Sequence, residues 1–249
     1  MIDVNVSFGV WPFQPSRLAT VARLAAHLRR EGIEQALISH LGGVLATDPH
    51  GFNVELAKAL LRRNGMHAVP IVNPRLGGWR HDLATLPGAA PISIRILPAY
   101  HDYTLRSRVA RDVAAYAKDS DIPLCVQLRL DDERSRYFGL HLPVVRSDDV
   151  LAVAERMPET RFVVLNPYLD EARRILKEAP NALVDTSFPE WLYSVEALTE
   201  GLDESRVMFG SHTPLLETRA SIMKVFDGHE SLTTRQRIGV TNAKRVFGL

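Results

Sequence analysis

Short runs of Val, Ile and Leu recur along this chain, each separated from the next by an amphipathic stretch. Such runs predict strands that are buried on both faces of a parallel sheet. Eight runs are recognisable, at 2–7, 35–40, 67–73, 92–97, 124–130, 161–166, 182–187 and 206–212. Strands alternating with helices at this number and this chain length predict an α/β fold, a (β/α)₈ TIM barrel spanning 1–249 as one domain.

A doubly wound open sheet is the alternative architecture. That fold usually carries a phosphate-binding GxGxxG or GxxxxGK[ST] loop directly after a strand, and the sequence contains neither. The predicted helices cover 16–30, 53–63, 106–118, 147–157 and 169–179. Ser16 is the predicted N-cap of the first helix, whereas 80–86 is too short and too closely flanked by glycine to predict a helix.

The charge and composition of the chain limit the classes of molecule that it is expected to bind. The 30 Lys and Arg residues nearly balance the 29 Asp and Glu residues, so nucleic acid and anionic membranes are not expected to bind. No apolar run approaches the ~18 residues of a membrane span. A small-molecule ligand is the expected partner, and a homo-oligomer is possible. Cys125 is the single cysteine and the first residues do not resemble a leader, so the cytoplasm is the expected location.

Polar residues collect where the predicted strands end. The carboxyl ends of barrel strands meet at one mouth, which is where barrel enzymes place their chemistry. We therefore expect the polar strand-end side chains to converge on one cavity. They are Asn5, Ser7, Ser39, His40, Asn73, Arg95, Gln127, Arg129, Asn166, Asp185, Ser187, Ser211 and His212.

Four sequence fragments, in order along the chain, resemble those of one family. The opening IDVNVSFG is similar to an I-D-x-H-x-H start, and ALVDTS resembles that family's seventh strand. VMFGSHTP resembles its G-S-D-x-P turn, and TNAKRVFGL its N-A-x-R-x-F-G-L closing helix. The chain thus resembles the amidohydrolase-related proteins, which include aminocarboxymuconate-semialdehyde decarboxylase and lactone hydrolases. This resemblance implies a barrel that hydrolyses or decarboxylates a small organic acid, amide or lactone.

The chain departs from this family at the metal-binding positions. Asn5 and Ser7 stand where the resemblance places two histidines, Gln127 and Asn166 replace two more, and His212 replaces an aspartate. Neutral oxygens are poor zinc ligands, so the sequence predicts no metal site and no cofactor at these positions. A rearranged site, in which other residues join His212, is the alternative. Those residues are His40, His101 and Asp185.

The predicted catalytic residues are His212 and Asp185. A histidine at a strand end can act as a general acid or base, although it can equally be a buried residue bonded to the backbone. His40, which precedes two glycines, and His101 are predicted substrate contacts or structural loop residues. The amides predicted to bind substrate and to polarise a carbonyl group are those of Asn5, Gln127 and Asn166.

Two arginines lie on predicted barrel strands, where a charge needs a partner. Arg95 and Arg129 are each predicted to hold a substrate anion or to pair internally, and Asp185 is the expected partner. The charged loop 131–141, which includes Arg136, either covers the pocket or is simply solvated. Two functions remain open: an enzyme of small organic molecules, and a barrel that has lost catalysis and binds a ligand or partner.

Overall fold

Parallel strands alternate with helices throughout the computed structural model, which describes residues 1–134, 137, 139–226, 228 and 231–249. The charged-loop residue Arg136 lies outside the described residues. The strands are β1 (Ile2–Phe8), β2 (Gln35–His40), β3 (Met66–Ala68), β4 (Ile71–Val72), β5 (Ile94–Ile96), β6 (Leu124–Gln127), β7 (Phe162–Leu165), β8 (Ala182–Asp185) and β9 (Val207–Met208). All their pairings are parallel, which confirms the predicted α/β barrel.

The third predicted strand is divided into β3 and β4, and the intervening residues are Val69 and Pro70. Proline has no N–H to give to a neighbouring strand, so regular pairing stops there. The backbone still continues the barrel, because Val69 N donates to Ile38 O and the Pro70 carbonyl accepts from Arg95 N. The sheets β1-β2-β3 and β4 to β9 therefore meet at a single strand of the barrel, of which β3 is the first half and β4 the second.

The barrel closes between its first and last strands. Val4 N donates to Phe209 O at 3.0 Å, and Ser7 N donates to Thr213 O at 2.7 Å. These bonds extend the last strand beyond β9 and bring the segment after it beside β1. Residues that are distant in sequence therefore share the mouth of the barrel.

Helices follow the strands and cover the barrel from outside. They are α1 (Val21–Arg30), α2 (Gly42–Leu45), α3 (His50–Leu60), α4 (Trp79–Ala84), α5 (Arg108–Asp119), α6 (Ser147–Arg156), α7 (Leu169–Glu178), α8 (Ser194–Thr199), α9 (Thr218–Phe226), α10 (Leu232–Gln236) and α11 (Asn242–Phe247). In the part of the chain that the structure describes, no helix is long and apolar enough to cross a membrane.

Two of the sequence-based helix assignments were wrong in detail. The first helix begins at Val21 with Thr20 as its N-cap, because the Thr20 side chain accepts from Arg23 N. Ser16 instead accepts from Leu18 N within a turn. A short helix, α4, also forms at Trp79–Ala84, where none was predicted. Burial of Trp79 and Leu83 stabilises this helix despite its length.

The strands bury both faces, but the two faces differ. On β6 and β7, Leu124, Val126 and Phe162 belong to the large apolar core under the helices. The alternate residues point to the barrel interior, where Asp3, Arg95 and Asp185 are buried. The barrel therefore contains buried polar residues on several of its strands, and the candidate site lies among them.

Candidate functional site

Four of the predicted site residues meet at the carboxyl ends of three strands and in the segment that closes the barrel. Asn5 lies on β1, Asn166 directly follows β7, Asp185 ends β8, and His212 follows β9. Asn5 Nδ2 donates to Asn166 Oδ1 at 2.6 Å and to Asp185 Oδ2 at 2.7 Å. Together with Ser187 they form the strand-end cluster, and all five side chains are buried.

His212 joins this cluster as a neutral imidazole. Its Nε2 lies 2.8 Å from the Leu130 carbonyl oxygen, which can only accept, so Nε2 carries the hydrogen. The Asn166 amide nitrogen faces the ring, 3.1 Å from Nε2 and 3.3 Å from Nδ1. Burial and the Arg95 charge lower the His212 pKa to about 4, although the hydrogen bond to Leu130 opposes them. At neutral pH His212 therefore has one N–H to donate and one lone pair.

The backbone is left-handed at two cluster residues. Asn166 has φ 59° and His212 has φ 58°. Asn and His enter this region more readily than most residues, because their side chains can bond locally. Such conformations cost about 1–3 kcal/mol each and persist where surrounding contacts impose them. The cluster bonds supply those contacts, so the two side chains are held in fixed orientations.

Both oxygens of the Asp185 carboxylate accept hydrogen bonds within the cluster. Oδ1 accepts from Asn166 N at 2.9 Å, and Oδ2 accepts from Ser187 Oγ at 2.8 Å as well as from Asn5. Burial raises the Asp185 pKa, whereas the hydrogen bonds and the Arg95 charge lower it. Ser187 was noted in the sequence as a polar strand-end residue but was not assigned a role in the site.

Below the cluster lie Asp3 and Arg95. Asp3 Oδ1 accepts from Asn5 N and from Ser211 N, both at 3.0 Å, and burial raises the Asp3 pKa to about 7. Arg95 Nε and Nη2 have no hydrogen-bond partner among the described residues. Burial lowers the Arg95 pKa, which the Cys125, Asp185 and Asp3 groups oppose. Sequence reasoning gave Asp3 no role in the site, although Asp3 belongs to the opening fragment that resembles the family.

Arg129 bonds to the cluster at Asn166, because its Nη1 donates to Asn166 O and its carbonyl accepts from Asn166 Nδ2, both at 2.7 Å. Gln127 Nε2 donates to the Arg129 carbonyl oxygen at 2.7 Å. The Arg129 guanidinium forms a bidentate pair with Glu171 on α7, at 2.6 and 2.9 Å, and stacks 4.0 Å above the Tyr168 ring. Arg129 thus has an internal carboxylate partner, but it is Glu171 and not Asp185. The helix that follows β7 supplies this partner, which spacing in the sequence did not reveal.

His40 and His101 make their contacts away from the cluster. His40 Nδ1 accepts from Gly42 N at 2.9 Å, and its ring packs between Phe8 and Phe52. Its Nε2 lies 3.6 Å from Glu55, and burial lowers its pKa. His101 Nε2 lies 3.2 Å from the carbonyl oxygen of Gly43 in α2, and burial lowers its pKa too. Both rings contact the segment around α2.

A cavity of about 820 Å³ opens above the cluster. The loops after β6, β7 and β8 and the segment after His212 enclose it. Its walls include Leu130 and Phe188, and Phe188 packs its ring against His212 with 5.6 Å between ring centroids. The charged loop contributes Asp131, Asp132 and Arg134 to the lining. Leu215 and Leu216 also line the cavity, and their backbone N–H groups donate to His212 O at 2.9 and 3.2 Å.

Comparison with solved structures shows where this fold occurs. The 5-carboxyvanillate decarboxylase of Novosphingobium aromaticivorans matches with TM-score 0.79 and 16% identity, over 100% of this chain and 97% of that one. A dihydroxybenzoic acid decarboxylase from Polaromonas matches with TM-score 0.77 and 13% identity, over 100% and 96%. A putative amidohydrolase from Staphylococcus aureus matches with TM-score 0.73 and 12% identity, over 100% and 99%.

These matches confirm the predicted resemblance at the level of the fold, which the whole chain shares with them. No family model matches the sequence, and no curated protein matches it. At 12–16% identity most positions differ, so the sequence signs of the shared architecture were the pattern of apolar strands and four short fragments.

The expectation of a site without a cofactor is contradicted by the same comparisons. The decarboxylase structures from Novosphingobium and Polaromonas both hold manganese. The expectation was argued from the ligand preferences of zinc. Manganese accepts oxygen ligands such as carboxylates and carbonyls, so replacing histidines by amides does not by itself remove a metal from the chemistry of such a barrel.

The strand-end cluster of this chain does not fit that ion in the arrangement described. Asn5 directs its N–H₂ group, which cannot bind a cation, towards Asp185 and Asn166. The Asp185 oxygens already accept three hydrogen bonds from Asn5, Ser187 and Asn166. Across the residues that the structure describes, no group of three or more His, Cys, Asp or Glu residues could hold a metal.

Proposed function

We propose that this barrel is an enzyme that decarboxylates or hydrolyses a small organic acid, amide or lactone in the cavity above the strand-end cluster. One observation carries the proposal: His212 donates to Leu130, a wall residue of a cavity of about 820 Å³. That volume lies within the range of small-molecule sites. The decarboxylases that share the fold, two of them solved with small aromatic ligands, support the substrate class.

His212 is proposed to polarise the substrate as a neutral hydrogen-bond donor. Decarboxylation breaks a carbon–carbon bond, releases CO₂ and leaves an electron pair that must take up a proton, which water supplies. The His212 Nε2–H group is directed at the Leu130 carbonyl, and a substrate oxygen that displaces this bond would accept a hydrogen bond from the ring, which keeps its proton. The Leu130 carbonyl fixes the tautomer by accepting from Nε2, and the Asn166 amide lies against the ring, 3.1 Å from Nε2 and 3.3 Å from Nδ1. Asp185 and Asn5 orient Asn166 through their mutual hydrogen bonds.

A ligand-binding barrel without catalysis is the second candidate. The observation in its favour is that the cluster residues bond to one another rather than to the cavity. Asn5, Asn166 and Asp185 direct their polar atoms at cluster partners, and His212 is 1% exposed. In this alternative the cluster stabilises the fold, and the cavity only binds.

Binding and turnover measured on one panel of ligands separate the two candidates. Small aromatic and aliphatic acids, amides and lactones are titrated by calorimetry, then assayed for product with and without Mn²⁺. His212→Asn suits the left-handed backbone, and His81→Asn, an exposed histidine on α4, is the matched control. Product that His212→Asn abolishes and His81→Asn retains supports the enzyme.

The other outcomes are equally decisive. Saturable binding without product from any member of the panel favours the ligand-binding barrel. Turnover that survives in His212→Asn contradicts the role given to His212. Absence of both binding and product contradicts both candidates.

A further inference from the structure

Four buried polar atoms inside the barrel have no hydrogen-bond partner among the residues that the structure describes. They are Arg95 Nε and Nη2 on β5, Gln127 Oε1 on β6 and Asp3 Oδ2 on β1. The three side chains are at most 2% exposed. Roughly 90% or more of the buried polar groups in folded proteins have a partner, so these four atoms indicate a ligand inside the barrel.

The three side chains face the same interior space. In the register of β5 and β6, Arg95 lies beside Cys125, and Gln127 is the next inward-facing residue along β6. Adjacent strands are about 4.8 Å apart, so the long Arg95 side chain extends within reach of the Gln127 amide. Arg95 and Asp3 also lie close enough for their charges to interact. Asp3 on β1 therefore faces the same space from another side of the barrel.

The unpartnered atoms are complementary in kind. Arg95 offers two N–H donors, whereas the amide oxygen of Gln127 and the Oδ2 atom of Asp3 are acceptors. The other polar atoms of the two acceptor side chains are already engaged. Asp3 Oδ1 accepts two backbone N–H groups, and Gln127 Nε2 donates to the Arg129 carbonyl oxygen. A ligand in this space must therefore accept from Arg95 and donate to Gln127 and Asp3.

Water meets this requirement better than an ion does. A water molecule has two hydrogens to donate and two lone pairs, so it can bridge Arg95 to both acceptors. An anion would accept from Arg95 but would be repelled by the Gln127 oxygen and by the carboxyl groups of Asp3 and Asp185, which both lie near Arg95. A cation would be repelled by the guanidinium. Buried water molecules typically make about three hydrogen bonds, and the four unpartnered atoms are sufficient for that.

We propose that ordered water binds inside the barrel between Arg95, Gln127 and Asp3, accepting from the guanidinium and donating to the two oxygens. This water solvates the Arg95 charge, because the described residues accept no hydrogen bond from Nε or Nη2. It also connects β1 with β5 and β6 through hydrogen bonds that cross the interior. The three residues do not line the cavity above the strand-end cluster, so the proposal does not depend on any catalytic activity there.

A high-resolution crystal structure of the wild-type protein, grown with bromide in place of chloride, tests the proposal. Bromide scatters anomalously and water does not, so the two ligands are distinguished at the same position. We expect density without an anomalous signal, within hydrogen-bond distance of the Arg95 guanidinium and of Gln127 Oε1 or Asp3 Oδ2. A bromide peak at this position overturns the proposal. Direct pairing of Arg95 with Gln127 or Asp3, or a space without density, overturns it as well.

Oxygen-17 magnetic relaxation dispersion measures the same water in solution, because it counts the water molecules that stay inside the protein for longer than its tumbling time. Arg95→Met keeps a long side chain but removes the donors, so this variant should lose at least one such water. Thr160→Val is the matched control and should keep the wild-type count, because Thr160 is buried and its hydroxyl donates to Ala114 O. Equal counts in wild type and Arg95→Met contradict the proposal, as does an equal loss in Thr160→Val. The wild-type crystal structure decides the question even if Arg95→Met does not fold.

Discussion

His212 Nε2 donates a 2.8 Å hydrogen bond to the carbonyl oxygen of Leu130, a residue that also lines the cavity. The two residues are 82 positions apart in the sequence. This bond fixes which ring nitrogen carries the hydrogen, and it connects the buried cluster to the wall of the binding space. Phe188 completes that wall over the His212 ring.

Removing the Phe188 ring should expose His212 to the cavity. Burial is the main cause of the lowered His212 pKa of about 4, so Phe188→Ala should move that pKa towards 6.5 as water reaches the ring. Histidine NMR titration measures the change. Phe13→Ala is the control, because Phe13 is an exposed aromatic residue that packs on Trp11. A His212 pKa that stays near 4 in Phe188→Ala would show that another layer excludes water.

Asp3 and His212 should have opposite effects on the pH dependence of stability. The folded protein holds a proton on Asp3 up to about pH 7, whereas the unfolded chain releases it near 3.8. The Asp3 contribution is therefore complete below pH 3.8 and is lost as the pH rises to about 7. His212 has its pKa lowered from 6.5 to about 4, so its contribution is complete above 6.5 and is lost as the pH falls to about 4.

Two substitutions separate these contributions. Relative to wild type, Asp3→Asn should become progressively more stable as the pH rises from about 4 to 7, and His212→Asn progressively less stable. The differences should reach a few kcal/mol, at about 1.4 kcal/mol per pKa unit. Urea unfolding across this pH range measures them. Parallel stability curves for the wild type and both variants would contradict the assigned pKa shifts.

The bidentate pair between Arg129 and Glu171 should contribute strongly to stability. The Arg129 side chain is 1% exposed, and removing one partner of a buried pair typically costs about 3–5 kcal/mol. We expect Glu171→Gln to lower the free energy of unfolding by about 3 kcal/mol, less than the full range because Glu133 lies 3.4 Å from Arg129 Nε.

The same substitution elsewhere on α7 is the control. Glu178 pairs with Arg174 on the helix surface, where both side chains are about half exposed. Glu178→Gln should cost no more than about 1 kcal/mol. Equal losses in the two variants, measured by urea unfolding, would mean that Arg129 does not depend on Glu171.

The sequence was informative wherever a local pattern sets the structure. Buried runs predicted the parallel strands because strands covered on both faces must be apolar. The predicted strand ends included Asp185 and Ser187, and the polar ends of the first, sixth and seventh predicted strands predicted the meeting of Asn5, Asn166 and Asp185. The cofactor expectation was wrong because it weighed each position against zinc alone, without the oxygen ligands that manganese accepts.

Long-range geometry decided the remainder. The sequence by itself determined where the strands lie along the chain. It also determined that the barrel mouth is polar and contains a histidine, since these features depend on residues that are neighbours in the sequence. Only the tertiary structure decided that Arg129 pairs with Glu171, that Leu130 accepts from His212, and that the hydroxyls of Thr218 and Thr213 connect His27 to Ser211. The physical reason is that hydrogen-bond partners are set by closure of the barrel and by side-chain direction, and neither has a period that a sequence reveals.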